Sequence, residues 1–504
     1  MADQHAARRR SAPLRDWAAA SFTLDTRSLA IFRIGLGCVL IADCLLRTRD
    51  FRLMFTPDGI FPLETLALYH DDSTIWSLAF VSDAAWWSGV VLALEGLAGA
   101  ALVVGYQTQA ATILAWVALV SVIRRTSPAI NAGDVWFACQ LFWGMFLPLG
   151  ARWSLDSARL AAAQPGRPCA TGVRSLASAA LVLQLVAVYA GAGLSKCNAA
   201  WLSGNALSHA LSVHDHGTSV GMLVGGIPWL VRALQWGVLS TEIALPLVMV
   251  AVPMPRIRAG IVGLFITFHI AIWLLMTVGL FAAIGIVAWL PLIPAAVWPA
   301  ATAARAGAVV TLGKAATWAC GVACLTAAAS FLHSVTPWRD RPLPRPLAAA
   351  INLTCLPQQW AMFGGVPAQE QWVYGRGLLA DGSLVDLLRD GRPLEAERPT
   401  GGFGSLLHHR WHKFYWILPQ RRVNVFADPA AEALARDWNA RHGPEQQVVS
   451  LEIRFGLQGL AGTDGTLSDA LIASWPPRSP MGSGNLDRFL RAAAPVADGP
   501  DPGR

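Results

Sequence analysis

Lysine is rare in this chain: of 39 basic residues only three are lysines, Lys196, Lys314 and Lys413. Lys196 closes a run of small apolar residues in YAGAGLSKCNAAWLSGNAL, residues 189–207. Arginine stays charged in a protein, whereas a desolvated lysine gives up its proton and can then serve as a base. The plainer alternative is an interfacial lysine whose head snorkels into water at a helix end. Other apolar runs hold further groups that could act with it, namely Asn131 and Asp134 in SPAINAGDVWF and His269 in ITFHIAIWLLMTVGLF. A neutral lysine near a histidine and polar donors, facing an apolar cavity, makes a base site.

Elements that could position these residues follow from the composition. The 504 residues are 54% hydrophobic and only 14% charged, with a mean hydropathy of +0.44. That is too apolar for a soluble chain of this length. Apolar runs of about 20 residues recur and match the ~30 Å hydrocarbon layer. We expect an all-α polytopic membrane bundle of about nine transmembrane helices with a smaller C-terminal α+β extramembrane domain. The spans fall roughly at 28–47, 87–106, 108–124, 135–150, 175–195, 229–252, 257–277, 279–298 and 308–331. With the N-terminal RRR inside, the loops holding Arg152, Arg159, Arg167 and Arg174, then Arg256 and Arg258, then Arg305 and Lys314 also fall inside. Arg124 and Arg125 are the exception.

This topology brings Asn131, Asp134, Lys196 and His269 toward one outer level. The domains read as a basic cytoplasmic segment (1–26), the membrane domain (27–335), an extracytoplasmic α+β domain (336–473) and a disordered tail (474–504). Within the α+β domain, QWVYGRGLLADGSLVDLL reads as strand, Asp-Gly turn and strand, and PAAEALARDWNARH as a helix. Ionisable residues inside spans are costly and should pair. Arg33, Glu95 and Glu242 are expected as structural ion pairs, Arg33 with Glu95 or with Glu242. The positive charge of +7 is spread over loops, so nucleic acid is not an expected partner. LLHHRWHKFYW spaces His408 and His412 as zinc ligands could be spaced, but its interleaved aromatics favour a surface facing lipid headgroups. No metal is expected.

Four motifs in order carry a family likeness: RSLAIFRIGLGCVLIADCLLR, NAGDVWFACQLFWGMFLPLGARWSLD, VYAGAGLSKCNAAWLSGNAL and FHIAIWLLMTVGLFAAIGIVAWLPLIP. They resemble the horizontally transferred transmembrane (HTTM) domain, which vitamin K-dependent gamma-carboxylase shares with many bacterial proteins. The resemblance implies that Lys196, followed five residues later by Trp201, is the base that deprotonates reduced vitamin K. His269 matches the family's membrane histidine, and a hydrogen bond from it or from Asn131 to a quinone oxygen is its implied role. Asp134 and Trp201 join the implied quinone-binding set, with reduced vitamin K or menaquinone as cofactor and a peptide or protein as substrate. The sequence also departs from the carboxylase. Where the animal enzyme carries an asparagine and histidine pair, Ala132, Gly133 and Asp134 stand here.

The leading expectation is therefore a multi-pass protein of a bacterial inner membrane, performing quinone-dependent oxidation or carboxylation with a lysine base. The other is a non-catalytic membrane protein that binds a lipid or protein partner.

Overall fold

Asp25 starts the first long helix by accepting the Arg27 backbone N–H at 2.8 Å, and the uninterrupted apolar run behind it propagates the helix. The computed structural model describes residues 14–165, 169–204, 206–212, 216–299, 313–365, 369–394, 399, 405–406, 408–459 and 468–477. Among them, six helices are long and apolar enough to cross a membrane. These are α1 (Thr26–Thr48), α2 (Ala85–Val104), α5 (Leu176–Ser195), α6 (Pro228–Ala251), α7 (Pro255–Leu275) and α9 (Lys314–Val335). At ~1.5 Å per residue, each reaches about 30 Å or more. Three other expected spans are helices that fall short of that standard: α3 (Thr108–Arg125), α4 (Ala132–Gly144) and α8 (Phe281–Trp289). Helices α4 and α8 lie inside the bundle, where Trp136, Phe137, Trp143 and Trp289 are all but fully buried, while α3 leaves Ile113 and Leu114 exposed.

The bundle has two distinct ends. At one, Arg258 donates to the carbonyls of Leu292 and Ser21, and Ser28 donates to that of Ile293. At the other lie the ends of α1, α3, α5 and α7 and the start of α4. The C-terminal domain packs on this second end. Its five-stranded antiparallel sheet comprises β1 (Gln369–Leu379), β2 (Leu384–Asp386), β3 (Arg392–Pro393), β4 (Val448–Gly459) and β5 (Ser468–Trp475), in the order β3-β2-β1-β4-β5. Helix α10 (His409–Ile417) lies between sheet and bundle, and α11 (Ala427–Arg441) packs on β4 and β5. One apolar cluster joins Phe61 and Val122 of the bundle to Phe414 and Ile453 of the domain. The two regions thus share a core.

Several expectations need correction. The HHRWHKF segment is not a lipid-facing surface: as α10 it buries Arg410, Trp411, His412, Phe414 and Tyr415. An aromatic-rich helix with cations packs inward here because acidic partners await it in the bundle. Within the N-terminal segment, Trp17 and Ser21 each donate to the Val250 carbonyl at 3.0 Å. The boundary at 473 falls inside β5, and the tail beyond 477 lies outside the described residues.

Candidate functional site

Helix α5 brings the lysine to its place. Small residues let α6 approach: a side chain on Gly193 would meet Glu242 Cβ at 3.4 Å. Lys196 caps the C-terminus of α5 and is only 2% exposed. Its Nζ lies 2.8 Å from Glu242 Oε2 and 3.3 Å from the Ala192 carbonyl, and 5.4 Å from the centre of the Trp201 ring. Trp201 sits on a short helix, Ala199–Leu202, whose N-cap Asn198 accepts the Trp201 backbone N–H. The Trp201 indole donates to the Phe363 carbonyl at 2.8 Å, and Asn198 Nδ2 donates to that of Gly364 at 2.6 Å. The chain leading into the C-terminal domain therefore straps over Lys196. A snorkelling head would reach water; this one reaches a carboxylate.

Seven residues earlier on the same face of α5 stands Tyr189. Its Oη accepts the Trp289 indole N–H at 2.8 Å and lies 2.5 Å from His269 Nε2. Tryptophan can only donate, and the direction of the tyrosine–histidine bond follows the imidazole tautomer: with the tyrosine hydrogen on Nε2, the ring carries its own proton on Nδ1. That Nδ1 is buried without a hydrogen-bond partner. The ring lies directly against Gly285, where any side chain would overlap it. Trp136 and Phe281 close in at centroid distances of 6.0 and 5.8 Å. One turn along α4 from Trp136, Gln140 donates to the Ile284 carbonyl while its Oε1 is buried and unpartnered. An unmet donor and an unmet acceptor thus flank α8 at Ile284 and Gly285.

Asn131 and Asp134 form the start of α4. Asn131 Oδ1 accepts from the backbone of Gly133 and Asp134, and Asp134 Oδ2 accepts the Asn131 N–H at 2.8 Å. The other oxygen of Asp134 receives Arg47 and Arg410, both at 3.1 Å. Asp43 receives the same two arginines at 2.7 and 2.6 Å. Two buried carboxylates and two buried guanidiniums thus form a closed cage. Asn131, Asp134, Phe281 and His409 line a small cavity beside it. His409 on α10 is pushed down to about 4, chiefly by burial and next by the charge of Arg410.

The structure therefore groups Lys196 with Trp201 and Glu242, sets His269 along the same helix stripe through Tyr189, and gives Asp134 an anchoring position. The expected pairing of Arg33 does not form. Its guanidinium donates to the carbonyls of Trp153 and Arg152 at 2.6 and 3.4 Å. Glu95 lies instead close enough to Asp43 to feel its charge, and Asp43 is ten residues, about 15 Å, further along α1. Sequence reasoning missed Tyr189, Gln140, Arg47 and Arg410. The only available signal was polarity within otherwise apolar runs.

Residues 23–298 match the family described as HTTM domain. The chain belongs to the HTTM-domain family. No curated protein and no solved structure matches it. The HTTM region contains Lys196, Trp201, Glu242, His269, Asn131 and Asp134, and ends before α9. Arg410 and the strap at Phe363 and Gly364 come from outside the HTTM region, so the C-terminal part completes the surroundings of HTTM residues.

Proposed function

We propose that this HTTM-domain membrane protein binds a reduced quinone, menaquinone or vitamin K, between His269 and Lys196, and that the Lys196–Glu242 pair takes up its proton. The observation that carries the reading is the pair itself: a rare lysine held at 2.8 Å from a carboxylate in a site sealed from water. The unmet His269 Nδ1–H and Gln140 Oε1 fit a ligand that accepts at one oxygen and donates at another. When bound, a reduced quinone supplies reducing equivalents for reaction with oxygen; the protein's own part is to orient it and to move a proton.

The pair can do this without a free charge at the start. Lysine and glutamate together hold one transferable proton, as ammonium with carboxylate or as amine with carboxylic acid. From the second arrangement the free Lys196 amine accepts the ligand proton, which leaves one ammonium and one carboxylic acid beside one ligand anion, so total charge is unchanged. The resemblance to the gamma-carboxylase supports this chemistry, with a peptide as the further substrate. Arginine-bearing loops at the end opposite the C-terminal domain support a cytoplasmic N-terminus and an extracytoplasmic domain at a bacterial inner membrane.

One observation favours a second reading, a non-catalytic protein that holds a lipid or protein partner. Both oxygens of Asp134 are engaged at the place where the animal carboxylase carries its asparagine and histidine pair. Binding of fluorescent menaquinol to the protein in nanodiscs tests the first reading. We expect saturable binding, weakened about tenfold in His269→Ala, the loss of roughly one hydrogen bond. Equal partitioning into empty nanodiscs, wild type and variant would sink it.

A further inference from the structure

The segment that leaves the last spanning helix has a chemistry the site above does not use. Along α9, Trp318, Val322, Leu325 and Leu332 are all exposed, and intervals of four, three and seven residues keep them on one face. On a helix of this length and composition that face meets lipid. Trp318 is 78% exposed near the start of the helix, and Trp338, just past its end, is 61% exposed. From Trp318 to Val335 the helix rises about 25 Å at ~1.5 Å per residue, so the two indoles bracket a layer close to the ~30 Å hydrocarbon thickness. Exposed tryptophan favours the edges of that layer. The residues that follow Trp338 therefore stand among headgroups.

Three arginines lie there. Arg339, Arg341 and Arg345 are exposed, and the one acid among them, Asp340, sits 3.8 Å from Arg339 with both side chains largely in the open. Such a contact is worth little in water. Among the described residues, no carboxylate pairs with Arg341 or Arg345. Pro337, Pro342, Pro344 and Pro346 interleave with the charges and fix the backbone where they stand. Arg341 and Pro344 are accordingly extended, with ψ of 147° and 132°. A stretch stiffened in this way loses little freedom when it binds. Insertion bias does not account for the arginines, because on the orientation proposed above this end is extracytoplasmic.

We propose that residues 338–345 form a docking surface for anionic phospholipid, with the arginines holding the phosphate of a phosphatidylglycerol-type headgroup and Trp338 resting at the acyl boundary. Guanidinium matches phosphate geometry and sheds its water readily, and each basic group close to an anionic bilayer adds to the attraction. The lipid steadies the covalent link between the bundle and the C-terminal domain. Beyond that link, the helix Arg345–Thr354 is already tied to the bundle, since its Leu353 carbonyl accepts the Trp76 indole at 3.0 Å. The surface does not depend on the quinone reading.

Quenching of Trp338 by lipids with brominated acyl chains is the test. The full chain is placed in phosphatidylcholine bilayers that contain a small fraction of brominated phosphatidylglycerol or, separately, of brominated phosphatidylcholine. Subtracting the signal of Trp338→Phe isolates the one indole. Wild type should prefer the anionic lipid, and the preference should fall about fivefold for each arginine changed to glutamine. The triple variant Arg339→Gln, Arg341→Gln, Arg345→Gln should be quenched equally by both lipids, and Arg341→Gln alone replaces it if it does not fold. High salt should weaken the wild-type preference. Equal quenching of the wild type by the two lipids, no quenching of Trp338 by either, or a preference that the arginine variants keep in full overturns the proposal.

Discussion

Lys196 Nζ and Glu242 Oε2 meet at 2.8 Å with side chains 3% and 8% exposed, so each leaves the other stranded if one is removed. Glu242→Gln should cost about 3–5 kcal/mol, because an ammonium is then buried beside a neutral amide. Lys196→Met combined with Glu242→Leu should be as stable as the wild type, since neither charge has to be buried. Thermal unfolding of both singles and the double checks this. Additive losses in the double would show that the two groups do not depend on each other.

Gly285 lies under the imidazole of His269. Gly285→Ala should push the ring off Tyr189, at a stability cost of about 1–3 kcal/mol from overpacking. Ligand binding should suffer more than stability does, which a titration set beside a melting curve would read. Unchanged binding in a well-folded variant would remove His269 from the site.

Arg410 joins the domain to the bundle through Asp43 and Asp134. Arg410→Gln should cost about 2–4 kcal/mol, since two carboxylates then share Arg47 alone. Residues 336–345 should become sensitive to limited proteolysis while the bundle persists. Wild-type resistance would mean that the shared apolar core alone holds the domain.

Acid should loosen the same contact. His412 is buried and held well below the ordinary histidine pKa by burial, then by the charges of His216, Lys413 and His409. His409 is lowered to about 4 by burial and then by Arg410, against the opposing pull of Asp134 and Asp43. Histidines lowered in the docked state take up protons on release, so docking is at full strength above about pH 6.5 and is lost as pH falls toward 4. For His409 the linkage amounts to about 3 kcal/mol. Hydrogen-exchange protection of residues 408–418, referred to the intrinsic rate at each pH, should fall between pH 7.5 and pH 5; a flat protection profile would contradict the sign.

The membrane helices were legible because an apolar run of bilayer length rarely forms anything but a spanning helix, and Lys196 because a single lysine stands out among arginines. Partners were not legible, because pairing depends on how far along each helix two residues meet. Arg33 was matched to acids by charge alone, yet it lies about 15 Å from the level of Asp43 and Glu95. Glu242 meets Lys196 because α5 ends beside the middle of α6, a fact of tilt and length that no spacing encodes. Arg410 was hidden for a different reason. Its neighbours have the composition of a membrane-surface segment, and only the acidic pair in the bundle turns that segment inward.

Proton uptake by Lys196 and Glu242 from a bound reduced quinone is the central claim. Oxygen consumption by the purified protein with reduced menaquinone or vitamin K, wild type beside Lys196→Ala and Lys196→Arg, tests it most directly. We expect wild-type turnover that both substitutions abolish, because alanine has no base and arginine does not release its proton. Turnover that survives in either variant, or none above a heat-denatured control while all three proteins are folded, would contradict it.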